Sequence, residues 1–275
     1  MAKERVLITV KTYPTLSKKY GETVCTAGLR EDGSWIRMYP VPFRRLGEEE
    51  QYRKYDWIEC ELRRKTSDPR PETYSPTNLE HLKPVSHIDT ADNWRERRRF
   101  LLGKAKVYDK LDDLITGAKR NLLSLAIFKP TRILDFFWEE DDREWDPEKL
   151  SAMRKLHSQL DLFDDSEWRK VFAVIPKLPH RFSYRFEDGA GRRSEMQILD
   201  WEAGQLYWNC LKSCGDDEVA ALTKVKAKYL GEFTKTDLHF YLGTTQQFHF
   251  VAPNPWVIIG VLPIPFETQP ELFTP

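Results

Sequence analysis

The 275-residue chain lacks most of the signatures by which a sequence declares an activity. It has no Gly-x-x-x-x-Gly-Lys-Ser/Thr phosphate loop, no Gly-x-Gly-x-x-Gly, no Gly-x-Ser-x-Gly elbow and no His-Glu-x-x-His helix. Their absence argues against P-loop hydrolases, dinucleotide enzymes, α/β-hydrolases and zincins. It leaves open an enzyme whose site is assembled from scattered residues. Cysteine is scarce: Cys25 and Cys60 fall in strand-like segments, and Cys210 and Cys214 lie four apart on one helical face. No Cys-x-x-Cys pair or histidine at ligand spacing accompanies them, so reduced thiols are expected, with no metal and no cofactor. Long apolar runs are missing too. None approaches the ~20 residues that span a bilayer, and Met1–Arg5 leads straight into a strand with no signal-peptide core. The chain reads as cytoplasmic.

What is present is an uneven charge. The net charge is zero, yet residues 1–135 carry 27 Lys and Arg against 20 Asp and Glu, a net of +7. Residues 136–170 carry 6 against 11, a net of −5. A basic first half suits a polyanionic partner, nucleic acid above all, either DNA or RNA. The acidic segment 139–148, with seven carboxylates, suits a basic protein partner or a mimic of nucleic acid.

The hydrophobic pattern is that of an α+β protein with mixed, mostly antiparallel sheets. Residues 5–12, 22–30, 34–40 and 55–63 alternate as strands. Asp32-Gly33 marks a hairpin turn between the second and third. Together they predict a small antiparallel sheet or barrel-like module. Residues 64–88 read as a polar, proline-bearing connector. Helices are expected over about 91–105 and about 108–123, with Leu111, Leu114, Ile115, Ala118 and Leu122 inward. Two short strands follow at 125–128 and 133–137. Asp146-Pro147 starts a helix to about 162, with Leu150, Met153, Leu156 and Leu160 inward. A hairpin spans 182–199. Asp200 caps a helix stopped by Gly215, and a second helix runs from about Asp217 to Leu230. Strands at 238–242 and 256–262 close the chain, with Gln247–Val251 offering a third. The organisation is a basic module over 1–138 and a C-terminal α+β lobe over 139–275, or one compact domain containing both.

Several residue groups could carry function. Strand residues Trp35, Arg37 and Tyr39 alternate an aromatic, a cation and an aromatic on one face. With Lys18, Lys19, Tyr20, Arg44 and Arg45 they form the chemistry that stacks bases and neutralises phosphates. The same face could instead be core. Small barrels of the OB type bind single strands in this manner. The β-hairpin start followed by a basic loop also resembles small RNA-binding barrels of the PUA and ASCH kind, over about the first quarter of the chain. That resemblance implies a fold and assigns no site residue. A second basic group is Arg95, Arg97, Arg98 and Arg99 on the first helix, of which Arg95, Arg98 and Arg99 share a face. Asp200 and Glu202, where a strand opens into a helix, could be an acid/base pair or ion ligands. The preferred reading is ordinary: an N-cap Asp200, with Glu202 favoured by the helix dipole, explains both completely. Asp56, Glu59, Glu61 and Lys65 have the residue types of a metal nuclease at the wrong spacing. His239 and His249 lie near the last hairpin with no nucleophile motif beside them. The leading expectation is a nucleic-acid-binding protein, recognising modified or foreign nucleic acid. The alternatives are a nucleic-acid or nucleotide enzyme using Asp200 and Glu202, and a protein-interaction module using segment 139–148.

Overall fold

The computed structural model describes residues 3–17, 19–47, 49–160 and 174–267. The predicted strands of the first quarter form β1 (Lys3–Lys11), β3 (Gly21–Arg30), β4 (Trp35–Val41) and β5 (Asp56–Arg64). The short β2 (Thr15–Ser17) pairs with β3. Alternation supplies both faces of this sheet. Val6 and Ile8 point into an inner cluster with Val24, Ile36, Met38, Ile58 and Cys60. Leu7 and Val10 point out to a second cluster. At the β3–β4 turn Gly33 sits at φ +85°, and a Cβ there would come 2.4 Å from the Lys104 carbonyl oxygen. Only glycine suits that position.

The sheet closes into a five-stranded barrel in the order β1, β3, β4, β6, β5 and back to β1. The closing strand β6 (Thr73–Pro76) lies inside the segment expected to be a connector. It runs parallel to β4, pairing only Arg37 with Thr73 and Met38 with Tyr74. A four-residue strand with two pairs leaves little periodic trace, so the connector reading is corrected here. The same segment supplies β7 (Lys83–His87), which extends β5.

Helix α1 (Ala91–Lys104), whose residues 92–94 have left-handed dihedrals, buries Leu101 against the outer face of the barrel. The C-terminal part has two sheets. One is β10 (Arg132–Glu140), β11 (His180–Glu187) and β12 (Arg193–Gln197). The other runs β14 (Trp256–Ile264), β13 (Asp237–Thr244), β9 (Leu125–Phe128), β8 (Val107–Tyr108). Helices α2 (Leu111–Lys119), α3 (Pro147–Leu160), α4 (Trp201–Ser213) and α5 (Glu218–Lys226) complete it. Their starts are the expected ones: Asp146 accepts from Glu148 N and Lys149 N, Asp200 from Glu202 N, and Asp217 from Ala220 N. Met153 is buried as expected, whereas the side chains of Leu156 and Leu160 lie outside the described residues.

Three further expectations change. Helix α2 stops at Lys119 and Asn121 turns left-handed (φ 54°), so Leu122 faces solvent instead of the core. Residues 139–140 extend β10 against β11 and do not begin a loop. Residues 247–250 are turn and form no strand, because His249 is drawn inward by two side-chain hydrogen bonds. Among the described residues no helix is long and apolar enough to cross a membrane.

The two parts meet along the outer cluster, where Leu7, Val10, Ala27 and Leu29 of the barrel pack with Ile127, Tyr241, Ile259 and Leu262. Beyond β1 the chain crosses over: Tyr13 N donates to Leu199 O at 2.8 Å, and Thr12 bridges Asp200. This crossing leaves one wall of a cleft on each part.

Candidate functional site

The cleft encloses about 390 Å³. Its barrel wall is Thr12, Tyr13, Cys25, Arg37 and Tyr39, joined by Arg70 from the loop before β6. The opposite wall comes from β11 and β12, with His180, Phe182 and Gln197, and from Thr244–Gln246 at the end of β13. Asp141, Trp145, Lys177 and Arg181 lie around it, and Asp200 reaches it.

Arg37 is the central cation. It is 1% exposed, and β4 aims its side chain across the junction of the two parts. Its guanidinium donates to Ser124 Oγ at 2.6 Å, Ser124 O at 2.9 Å, Thr73 Oγ1 at 3.4 Å and Thr244 O at 3.4 Å. All of its acceptors among the described residues are neutral oxygens. Glu72 stands one bond further off, accepting from Ser124 Oγ at 2.6 Å. Burial, then the charge of Arg70, pushes Arg37 down to about 10, still protonated at neutral pH. Arg70 is held by Asp68 at 2.6 Å and also donates to Thr244 O. Both guanidiniums line the cleft while Asp68 and Glu72 stand behind them.

A cation–aromatic patch borders this wall. Tyr39 meets the edge of Tyr20 with ring centroids 6.1 Å apart. Lys65 Nζ lies 4.6 Å from the Tyr39 ring and 5.0 Å from that of Tyr20, and Lys19 Nζ lies 5.1 Å from Tyr20. The Lys19 hydrogen bond holds the Tyr20 phenol below its usual range. On the far wall, neither ring nitrogen of buried His180 has a hydrogen-bond partner among the described residues. Burial keeps its pKa low.

The structure thus brings Arg37, Tyr39, Tyr20 and Lys19 to one place. Trp35, on the same strand face, packs edge-on to Tyr241 at 6.1 Å in the outer cluster. Arg44 pairs with Glu22 at 2.7 Å. Lys18 lies outside the described residues, as does the side chain of Arg45. The arginines of α1 are largely engaged. Arg97 is buried over Tyr55 at 3.9 Å and donates to Ile88 O. Arg98 pairs with Asp237 and Glu267, and Arg95 with Asp92. Arg99 is exposed. The acidic segment folds back on the cleft, with Glu139 3.7 Å from Arg181 and Asp141 3.3 Å from Lys177.

Asp200 caps α4, Glu202 lies in its first turn, and both hold Lys54. Lys54 Nζ lies 2.8 Å from Glu202 and 3.7 Å from Asp200, and donates to Val261 O at 3.4 Å. Burial pushes Asp200 up to about 6 against the pull of Lys54. Burial also works against the charge on Lys54, but the two carboxylates outweigh it and hold Lys54 above its usual range. Nearby Lys11 lies over the Phe43 ring at 4.1 Å and donates to Tyr52 O. Burial lowers it to about 8. His239 and His249 share no partner: His239 Nδ1 meets Asp237 O, while His249 meets Thr244 and Asn121. Among the described residues no three His, Cys, Asp or Glu side chains are grouped to hold a metal ion.

Sequence reasoning missed Arg70, Lys54 and Ser124, and met Lys65 only among metal-nuclease residue types at the wrong spacing. Arg70 falls in the Asp68-Pro69-Arg70-Pro71 stretch of the polar connector, whose composition does not reveal that it faces a cleft.

Comparison with known families follows the same division of the chain. Residues 2–103 match the model of a domain of unknown function, DUF8758. Residues 107–275, more than half of the chain, match that of another domain of unknown function, DUF8757. The chain belongs to the DUF8757 family. The change from one match to the other falls between α1 and β8, and the cleft takes residues from both matched regions. No curated protein matches the chain.

Proposed function

We propose that this is a cytoplasmic nucleic-acid-binding protein that takes one nucleotide of its ligand into the cleft and so discriminates modified or foreign nucleic acid. The observation that carries the reading is Arg37: a buried guanidinium facing a cleft, with no carboxylate directly on it. A buried cation is costly unless an anion or strong acceptors meet it. Neutral oxygens already accept from this guanidinium, and a phosphate at the cleft would add the countercharge that they do not carry. Tyr39 and Tyr20 offer ring faces, and Lys19 and Lys65 offer charge on the approach. Aromatics interleaved with cations suit a chain of bases and phosphates.

The test is binding to single- and double-stranded DNA and RNA across a salt series. About three phosphate contacts predict a loss of about twenty-fold in affinity for a single strand, and about forty-fold for a duplex, on a four-fold rise in salt. Replacing Lys19 and Lys65 by Ala should flatten that slope. Salt-independent or undetectable binding contradicts the reading.

One observation favours a second reading, turnover of the bound nucleotide. Asp200 lines the cleft with a pKa near 6, beside Glu202 and Lys54. A carboxyl poised there can exchange a proton near neutral pH. The Asp200→Asn, Glu202→Gln pair would then lose turnover of an oligonucleotide substrate while still binding it. Turnover by the double variant at the wild-type rate rules this reading out.

A further inference from the structure

The turn between β13 and β14 presents Phe248, Phe250 and Val251 at 48, 49 and 74% exposure. Leu122, 68% exposed, is brought to the same place, because Oδ1 of its neighbour Asn121 accepts from His249 Nε2 at 3.0 Å. Single exposed apolar residues are ordinary, but several gathered on one short turn mark a contact surface. The turn is also firmly held. His249 is fully buried with Nδ1 2.8 Å from Thr244 Oγ1, and its ring lies 4.6 Å from that of Phe250. Gln246 Nε2 donates to Ser67 O at 3.0 Å, and Asn121 Nδ2 to Pro69 O at 2.9 Å. The aromatic rings are therefore displayed on a fixed support.

The surroundings indicate what covers them. Lys119 and Arg120, which lead into Asn121 and Leu122, are exposed and form no ion pair among the described residues. The base of the turn, Thr244–Gln246, lines the cleft. Phe248 is two residues from Gln246, so the rings stand within about 7 Å of backbone reach of the cleft wall. An apolar protein surface would leave the flanking cations unmet. A polynucleotide carries flat apolar faces and phosphates in one molecule, in alternation.

We infer that Phe248 and Phe250 form a stacking platform for the base adjacent to the one held in the cleft, which makes the ligand a polynucleotide and not a free mononucleotide. This rests on the nucleic-acid reading of the cleft and adds a second contact to it. Lys119 and Arg120 would meet the phosphates on the outer side of that base.

The experiment compares nucleoside 5′-monophosphates with short mixed-sequence DNA and RNA oligonucleotides, single- and double-stranded. Each is titrated calorimetrically into the full chain and into the Phe248→Ala, Phe250→Ala double variant. The wild type should bind the oligonucleotide more tightly than the monophosphate. The double variant should lose about ten-fold or more in oligonucleotide affinity and keep its monophosphate affinity. Both rings are half exposed, so the variant retains the fold, which its thermal melt checks. The Phe248→Tyr, Phe250→Tyr pair keeps the ring faces and should restore oligonucleotide binding. Unchanged oligonucleotide affinity in the alanine variant overturns the platform and leaves the cleft reading standing. No binding of either ligand by the wild type overturns both.

Discussion

Arg37→Ala should lower stability by about 3 kcal/mol and abolish oligonucleotide binding. The stability loss follows from its partners. Ser124 Oγ and Thr73 Oγ1 lie in a closed junction and would lose a donor, whereas Ser124 O would keep the Thr244 amide and Thr244 O would keep Arg70. Each unmet buried acceptor costs about 1–3 kcal/mol, and the vacated volume adds to it. The binding loss follows from removal of the cation that faces the cleft. Arg37→Lys separates the two effects. It keeps the charge but cannot place a fork on Ser124 and Thr73 together, so part of the stability returns. Urea unfolding at constant slope measures the first effect. Binding measured well below the melting temperature gives the second. Wild-type stability in Arg37→Ala would mean that this junction does not hold the two parts together.

The second large effect is expected at Lys54. Lys54→Met takes the cation from buried Asp200 and from Glu202, whose side chain is 56% exposed; breaking a fully buried pair costs about 3–5 kcal/mol, and water at Glu202 brings this loss to about 2–3 kcal/mol. Its pH dependence is distinctive. Asp200 has an ordinary value of 3.8 and is raised to about 6 in the fold. A carboxyl raised in this way holds its proton more tightly when folded. Its contribution therefore does not oppose folding below about pH 4, and opposes it fully above about pH 6. The size over that window is about 3 kcal/mol. Asp200→Asn keeps the helix cap, since asparagine caps as well as aspartate, and should remove this slope from urea unfolding followed between pH 4 and 6. It should also restore part of the stability lost in Lys54→Met. A slope that persists in Asp200→Asn would assign the titration to another group.

Alternation made four barrel strands legible, and aspartate caps marked three helices. Both are local signals, written within a few residues of the feature that they produce. Strand β6 was not legible, because Thr73–Pro76 belongs to the barrel through backbone pairs that leave no side-chain pattern. Leu122 kept helical spacing beyond the point where the backbone at Asn121 turned away. The site shows the same divide. Arg37 and Tyr39 were visible as a strand face, yet Arg37 meets Ser124 across 87 positions, and Lys54 meets Glu202 across 148. Only the folded topology discloses such pairings. The charge asymmetry was legible as a total, but the arginines densest in sequence, 95–99, are mostly engaged by their own fold. Arg37, which the cleft selects, stands alone among apolar neighbours in sequence.

The two-pair seam between β4 and β6 has a mechanical consequence. A barrel is a ring, and this ring is fastened by a small clasp: Arg37 N to Glu72 O at 2.7 Å, and the Arg37 guanidinium to Thr73 Oγ1. The residue that fastens the clasp is the one that faces the cleft. Under the proposed function, an occupant that engages Arg37 would therefore also tighten the ring, and whatever loosens the ring would let the occupant go. Grip on that ligand and cohesion of the barrel would then be two readings of one equilibrium.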